Sequence, residues 1–379
     1  MERTSAESDH VIESGNDTES TQMELLTIND LSIEYELKNS TLRALDKVSL
    51  DINKNSFVAV VGESGCGKST LALSIIGLLA SPPAKLASGE INYKSTNLTA
   101  LKPNERRQFR GTEIAMIFQE PLTSLNPVYK VGDQIAEAIA VREQRKGNPK
   151  VDPESDVMQK VYNKTSTELP SRLPRLGRRG GLTKLLKSEV LDALRRVRIA
   201  DPEQVMDRYP FELSGGMRQR VMIAMALSQK PALLIADEPT TALDVTTQAQ
   251  VLKLMKELMN EVNTSILLIT HDLSVASQVA DRVVVMYAGD IVEDSDVYSL
   301  FEAPLHPYSK GLLSCIPSGS KDKARLKPIP GTVPDLANLP KGCKYASRCP
   351  SAMPICQENN PKLVEIKPNH RVACYLYAQ

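Results

Sequence analysis

The chain has 379 residues, with 46 Lys+Arg against 46 Asp+Glu, so its formal net charge is zero. That balance excludes a whole-chain basic field for holding nucleic acid and leaves only local patches. With 41% hydrophobic and 24% charged residues the chain can build a buried core. No apolar run approaches the roughly 18–20 residues that cross a bilayer; the longest, Leu71 to Ala80, contains Ser74 and stops before Pro82-Pro83.

Residues 1–22 carry Glu2, Glu7, Asp9, Glu13, Asp17 and Glu19 against Arg3. A segment this polar cannot bury enough apolar surface to order itself, so a disordered tail is expected, and nothing in it reads as a secretory leader. From Leu25 to about Met286 short Val- and Ile-rich runs alternate with longer helical patterns. Phe57–Val61, Leu233–Ala236, Ile266–Ile269 and Val283–Met286 are predicted strands buried on both faces. Helices are predicted at Ser69–Leu79, Gly216–Ser228 and Thr247–Val262; Val221, Ala224 and Met225 share a face of the second. This alternation predicts an α/β fold with a parallel sheet wrapped by helices.

Residues 142–187 hold twelve basic and five acidic residues. A solvated insertion is the plain reading; contact with nucleic acid or anionic lipid is the other, although no aromatic ladder interleaves the charges. After Phe301 the composition changes to a loop-rich segment with eleven prolines and, between 343 and 374, four of the six cysteines. That cysteine usage fits a reducing cytosol better than a disulfide scaffold. No internal repeat is present.

The run Gly62-Glu63-Ser64-Gly65-Cys66-Gly67-Lys68-Ser69-Thr70 follows an apolar strand and opens a helix, the context required for a P-loop. Gly62, Gly65 and Gly67 let the backbone curl until its N–H groups point inward at phosphate oxygens, and the helix N-terminus adds partial positive charge. Lys68 can reach the β- and γ-phosphates and the Ser69 hydroxyl can ligate Mg²⁺. Cys66 fills a variable position as an ordinary small residue. A second apolar strand ends in Asp237-Glu238: Asp237 would hold Mg²⁺, and Glu238 would act as general base or water polariser at the γ-phosphate.

Leu213-Ser214-Gly215-Gly216-Met217-Arg218-Gln219-Arg220 resembles the signature sequence of ATP-binding-cassette ATPases, and the resemblance covers about residues 23–300. Other family elements stand in order. Gln119 resembles the Q-loop glutamine, Thr241-Ala242-Leu243-Asp244 the D-loop, and His271 the switch histidine. The resemblance implies a P-loop NTPase domain at 23–300 with a helical subdomain at about 113–230. It further implies that Gln119 helps meet the Mg²⁺ and that Ser214, Gly215 and Gly216 face the γ-phosphate of a second subunit. Asp244 would act across that dimer, while His271 orients Glu238. Two cassettes would enclose two ATP molecules, so one chain needs a partner cassette. Tyr35 is the candidate for stacking on adenine; a core strand tyrosine is the alternative, because Glu36 to Arg43 resemble an insertion.

Gln119-Glu120-Pro121-Leu122-Thr123-Ser124-Leu125-Asn126-Pro127 resembles the peptide- and nickel-importer branch. So do His306-Pro307-Tyr308, Ile329-Pro330-Gly331 and Gly342 to Pro350, which fall in the C-terminal extension expected at 301–379. This branch implies an ATP-hydrolysing motor at the cytoplasmic face of a membrane, with two permease subunits and an extracytoplasmic binding protein. An ATPase acting on nucleic acid or ribosomes through 142–187 is the alternative. Cys343, Cys349, Cys356 and Cys374 lack the paired C-x2-C spacing of zinc knuckles. By resemblance they are expected to hold a [4Fe–4S] cluster; zinc, and unligated thiols or disulfides, stay open. Cys315 reads as plain packing.

Overall fold

The structure is a computed structural model that describes residues 24–38, 40–119, 124–145, 184–241, 243–316 and 328–377. The acidic tail and most of the basic segment lie outside the described residues. Among the described residues twelve strands form two sheets. The first is antiparallel and built from β1 (Glu24–Glu36), β2 (Thr41–Asn53), β4 (Ala84–Tyr93) and β5 (Thr96–Asn97), in the order β2-β1-β4-β5. The second contains β3 (Phe57–Val61), β6 (Ile114–Ile117), β7 (Leu233–Asp237), β8 (Ser265–Thr270) and β9 (Arg282–Tyr287), followed by β10 (Asp290–Asp296), β11 (Val364–Lys367) and β12 (His370–Val372). Its order is β11-β12-β10-β9-β3-β8-β7-β6, parallel from β9 to β6 and antiparallel beyond.

The near-continuous apolar runs of the parallel strands follow from burial on both faces. In β3, Phe57, Ala59 and Val61 enter one core and Val58 and Val60 the other. β8 divides the same way, with Ile266 and Leu268 opposite Leu267 and Ile269. The first core is closed by the helices Val131–Arg145, Lys184–Arg196, Gly215–Ser228 and Val245–Val262. The second is closed by the helix Lys68–Ile76 and the antiparallel sheet. A parallel sheet thus lies between two layers, and the loops at its C-terminal edge carry the chemistry.

Two sequence expectations are corrected. The first helix ends at Ile76, not Leu79: Gly77 adopts φ 72° and its N–H bonds back to Leu73 and Ser74 carbonyls, a left-handed C-cap. A helical subdomain beginning at 113 would include β6, but Ile114–Ile117 pairs in parallel with β7 and forms the edge of the main sheet. The chain after 300 is loop-rich, and its strand β12 hydrogen-bonds to β10 and extends the main sheet. Glu293, fully buried in β10, locks this junction. It accepts from the N–H groups of Leu305 (2.7 Å) and His306 (2.8 Å) and pairs with His370 Nε2 at 2.7 Å.

Candidate nucleotide site

The loop 62–67 leaves β3 and enters the helix Lys68–Ile76. A Cβ on Gly62 would lie 2.2 Å from the Met286 carbonyl oxygen, so only glycine lets β3 turn against β9 there. Gly67 combines φ +102° with a position whose Cβ would stand 2.5 Å from the Ala44 carbonyl oxygen. Lys68 is buried and donates to the carbonyls of Gly62 (2.6 Å) and Glu63 (3.0 Å), bending its ammonium back over the loop. The Cys66 thiol is buried, which raises its pKa, and packs 3.6 Å from Lys68 Nζ.

The end of β7 faces this loop. Ser69 Oγ donates to Asp237 Oδ1 at 3.3 Å. Burial lifts the Asp237 carboxyl above its ordinary range; the Ser69 hydrogen bond opposes the rise and the neighbouring Glu238 charge adds to it. A hydroxyl and a desolvated carboxylate beside a second carboxylate are hard oxygen donors, and a bound cation would relieve their repulsion; the residues fit Mg²⁺.

Glu238 is clamped. Its Oε2 accepts from Gln119 Nε2 (3.0 Å) and Thr241 Oγ1 (3.0 Å), and Oε1 lies 3.1 Å from His271 Nδ1. Its N–H donates to the Ile269 carbonyl, and its φ of 46° is a left-handed value unusual for a non-glycine residue. The Glu238 side chain is 15% exposed and that of His271 57%, so this cluster of four opens to solvent on its His271 side.

Direct hydrogen bonds thus join Ser69 to Asp237, and Glu238 to Gln119 and His271, while Lys68 bonds to carbonyls of its own loop. Tyr35 joins from β1, its hydroxyl 3.4 Å from Thr70 Oγ1. The signature residues are elsewhere. Ser214 caps the helix Gly215–Ser228 by accepting from Met217 N–H, and Gly215 and Gly216 stand against Leu243 and Thr247. Among the described residues no hydrogen bond joins Ser214–Gly216 to the loop 62–70. Asp244 caps the helix Val245–Val262, accepting from Thr247 N–H and Oγ1, and these bonds hold its carboxyl below the usual range. Ala242 lies outside the described residues, as do Glu120 to Thr123 beside Gln119.

Cys343, Cys349, Cys356 and Cys374 are free thiols that line one small cavity with His306 and Tyr345. Burial pushes the Cys343 thiol up to about 11 and raises Cys349 and Cys374, the neighbouring thiols contributing in each case. Among the described residues no group of three or more His, Cys, Asp or Glu converges as ligands of a single ion would. Four thiol sulfurs around one cavity are soft donors of the kind that hold iron–sulfur clusters or zinc.

Sequence reasoning misses Thr241 on Glu238 and two residues that touch the loop from far along the chain, Tyr308 and Arg348. The motifs holding Tyr308 and Arg348 stand out in the sequence, but nothing there points them at Glu63.

Comparison with known proteins places this geometry. The ABC transporter family matches residues 45–241, and the family described as oligopeptide/dipeptide transporter, C-terminal region, matches residues 292–356. The oligopeptide transport ATP-binding protein AppD of Bacillus subtilis (strain 168) is 45% identical, over 94% of this chain and 97% of its own. The dipeptide transport ATP-binding protein DppD of Escherichia coli (strain K12) is 39% identical, over 93% and 97%. The fold also matches the ATP-binding cassette MJ0796 in a dimeric post-hydrolysis state bound to ADP and Pi, with TM-score 0.55 and 23% identity over 72% of this chain and 99% of that one. The fold and loop define a P-loop ATPase of the cassette type. The chain belongs to the ABC transporter family, within its oligopeptide/dipeptide transport ATP-binding proteins.

Proposed function

We propose that this chain is the ATP-hydrolysing motor of an importer for dipeptides or oligopeptides. It would work at the cytoplasmic face of a membrane with a second cassette, two permease subunits and an extracytoplasmic binding protein. Among the described residues no helix is long and apolar enough to cross a membrane. The observation that carries the catalytic reading is the Glu238 carboxylate, clamped by three side chains at the strand end next to the Ser69–Asp237 pair.

In this reading the loop N–H groups and Lys68 bind the triphosphate, Lys68 exchanging loop carbonyls for phosphate oxygens. Ser69 and Asp237, with Gln119, would hold Mg²⁺, which when bound neutralises phosphate charge. Glu238 accepts a proton from, or orients, the attacking water, and His271 and Gln119 fix its carboxylate. Catalysis is positioning plus charge stabilisation. The exposed caps Ser214 and Asp244 await the second cassette, whose arrival completes each site and moves the permease helices. A nucleic-acid role is not favoured, since relatives spanning almost the whole chain are named for peptide transport. The proposal of a [4Fe–4S] cluster of structural role rests on the four thiols that line one cavity. Anaerobically purified protein would carry iron and absorb in the visible; iron-free, colourless protein would remove the cluster.

The transport reading is tested by reconstituting the chain with its membrane partners in vesicles. Uptake of a labelled peptide should require ATP and vanish with Lys68→Ala. ATP-independent uptake, or uptake that survives that substitution, would refute it.

A further inference from the structure

Glu63, the first variable residue of the phosphate loop, is gripped by residues 245 and 285 positions later in the chain. The Arg348 guanidinium meets its carboxylate as a two-pronged fork, Nη1 to Oε2 at 2.6 Å and Nη2 to Oε1 at 3.0 Å. Arg348 is itself fixed. Its side chain is only 4% exposed, its Nε donates to the Pro330 carbonyl at 2.9 Å and its Nη1 to Tyr287 Oη at 3.3 Å. The guanidinium lies over the rings of Tyr287 and Tyr345. Tyr308, fully buried and packed against both of those tyrosines, accepts the Glu63 N–H at 2.9 Å.

Two consequences follow for a loop that binds phosphate. The Glu63 N–H is committed outward to Tyr308, which ties the outer side of the loop to a rigid aromatic cluster. Glu63 is also the only carboxylate in the run 62–70. Left unmatched, its charge would repel a polyphosphate a few ångströms away; the forked arginine cancels it with defined geometry. We propose that Arg348 and Tyr308 are positioning residues of the phosphate loop, holding Glu63 from outside so that the triphosphate meets a preformed and charge-neutralised cradle. This rests on reading 62–70 as the ATP phosphate site.

The test is equilibrium binding of a fluorescent ATP analogue with Mg²⁺ to the full chain, beside the melting temperature of the same samples without nucleotide. Arg348→Met should weaken binding by about tenfold. Adding Glu63→Gln to it should recover most of the loss, because the unmatched carboxylate is gone. Tyr308→Phe should weaken binding without altering its salt dependence. Arg348→Lys, which keeps the charge and loses the fork, should give a smaller loss and serves where the methionine variant does not fold. A lowered melting temperature with unchanged affinity, or a loss that Glu63→Gln does not reverse, overturns the proposal. Lys68→Ala separates the two readings. If it abolishes binding while the Arg348 variants bind normally, only this proposal fails. If it too binds normally, the loop assignment fails.

Discussion

Replacing Glu238 by glutamine removes a charge and a base while leaving the shape of the site. In the folded chain the carboxylate accepts from Gln119 and Thr241 on one oxygen and faces His271 Nδ1 with the other. A glutamine side chain can keep its oxygen toward Gln119 and Thr241 and turn its NH₂ toward the His271 ring nitrogen, so all three contacts have a counterpart. The left-handed backbone at 238 is common to both forms and cancels. What disappears is proton-accepting capacity, worth about 10²- to 10⁴-fold in rate, or about 3–5 kcal/mol in the barrier. Lys68, Ser69 and Asp237 are untouched, so ATP affinity should stay within a few-fold. The assay is steady-state ATP hydrolysis by the assembled transporter, paired with nucleotide binding by the variant chain. Turnover within tenfold of the unmodified protein would refute the role given to Glu238.

His306 supplies a pH prediction. It is buried, burial pushes its pKa down to about 3, and its Nδ1 accepts the Tyr308 N–H at 3.0 Å. The folded value lies below the unfolded one of about 6.5. Its neutral form therefore favours folding above that pH, and the advantage is lost as pH falls from there toward 3. His306→Asn keeps an acceptor for Tyr308 N–H and should flatten the fall in unfolding free energy between pH 7 and 5.5 by about 1 kcal/mol; identical slopes by denaturant titration would contradict this. Gly67→Ala must force a Cβ against the Ala44 carbonyl at a positive φ. It should cost at least about 1–3 kcal/mol of stability and weaken ATP binding as well, which unfolding and binding titrations on one sample would check.

The legible parts of the fold are those set by local chemistry. Val- and Ile-rich runs such as Phe57–Val61 mark strands buried on both faces, and Gly62 to Lys68 marks the loop between strand and helix. Ser214 and Asp244 lie just ahead of helices they prove to cap. Other features depend on the chain returning to itself. β1 and β2 alternate apolar with charged residues, as at Ile33-Glu34 and Leu50-Asp51, and the pairing of β1 with both β2 and β4 in a separate sheet is a tertiary choice. β12 is three residues long and owes its place to buried Glu293 and to Asp294, which pairs with Arg282 and Arg371. The grip of Arg348 on Glu63 spans 285 residues and has no local signature. The cysteine spacings likewise show four thiols but not that they share one cavity.

The central claim is that one triphosphate is held by the loop of one cassette and the signature residues of another. The direct measurement is the structure of the assembled transporter carrying Glu238→Gln, trapped with ATP and Mg²⁺. Ser214 and the N–H of Gly216 should then lie within hydrogen-bonding distance of the γ-phosphate seated in the opposite cassette. A trapped, nucleotide-loaded complex in which Ser214–Met217 touches no triphosphate would contradict it.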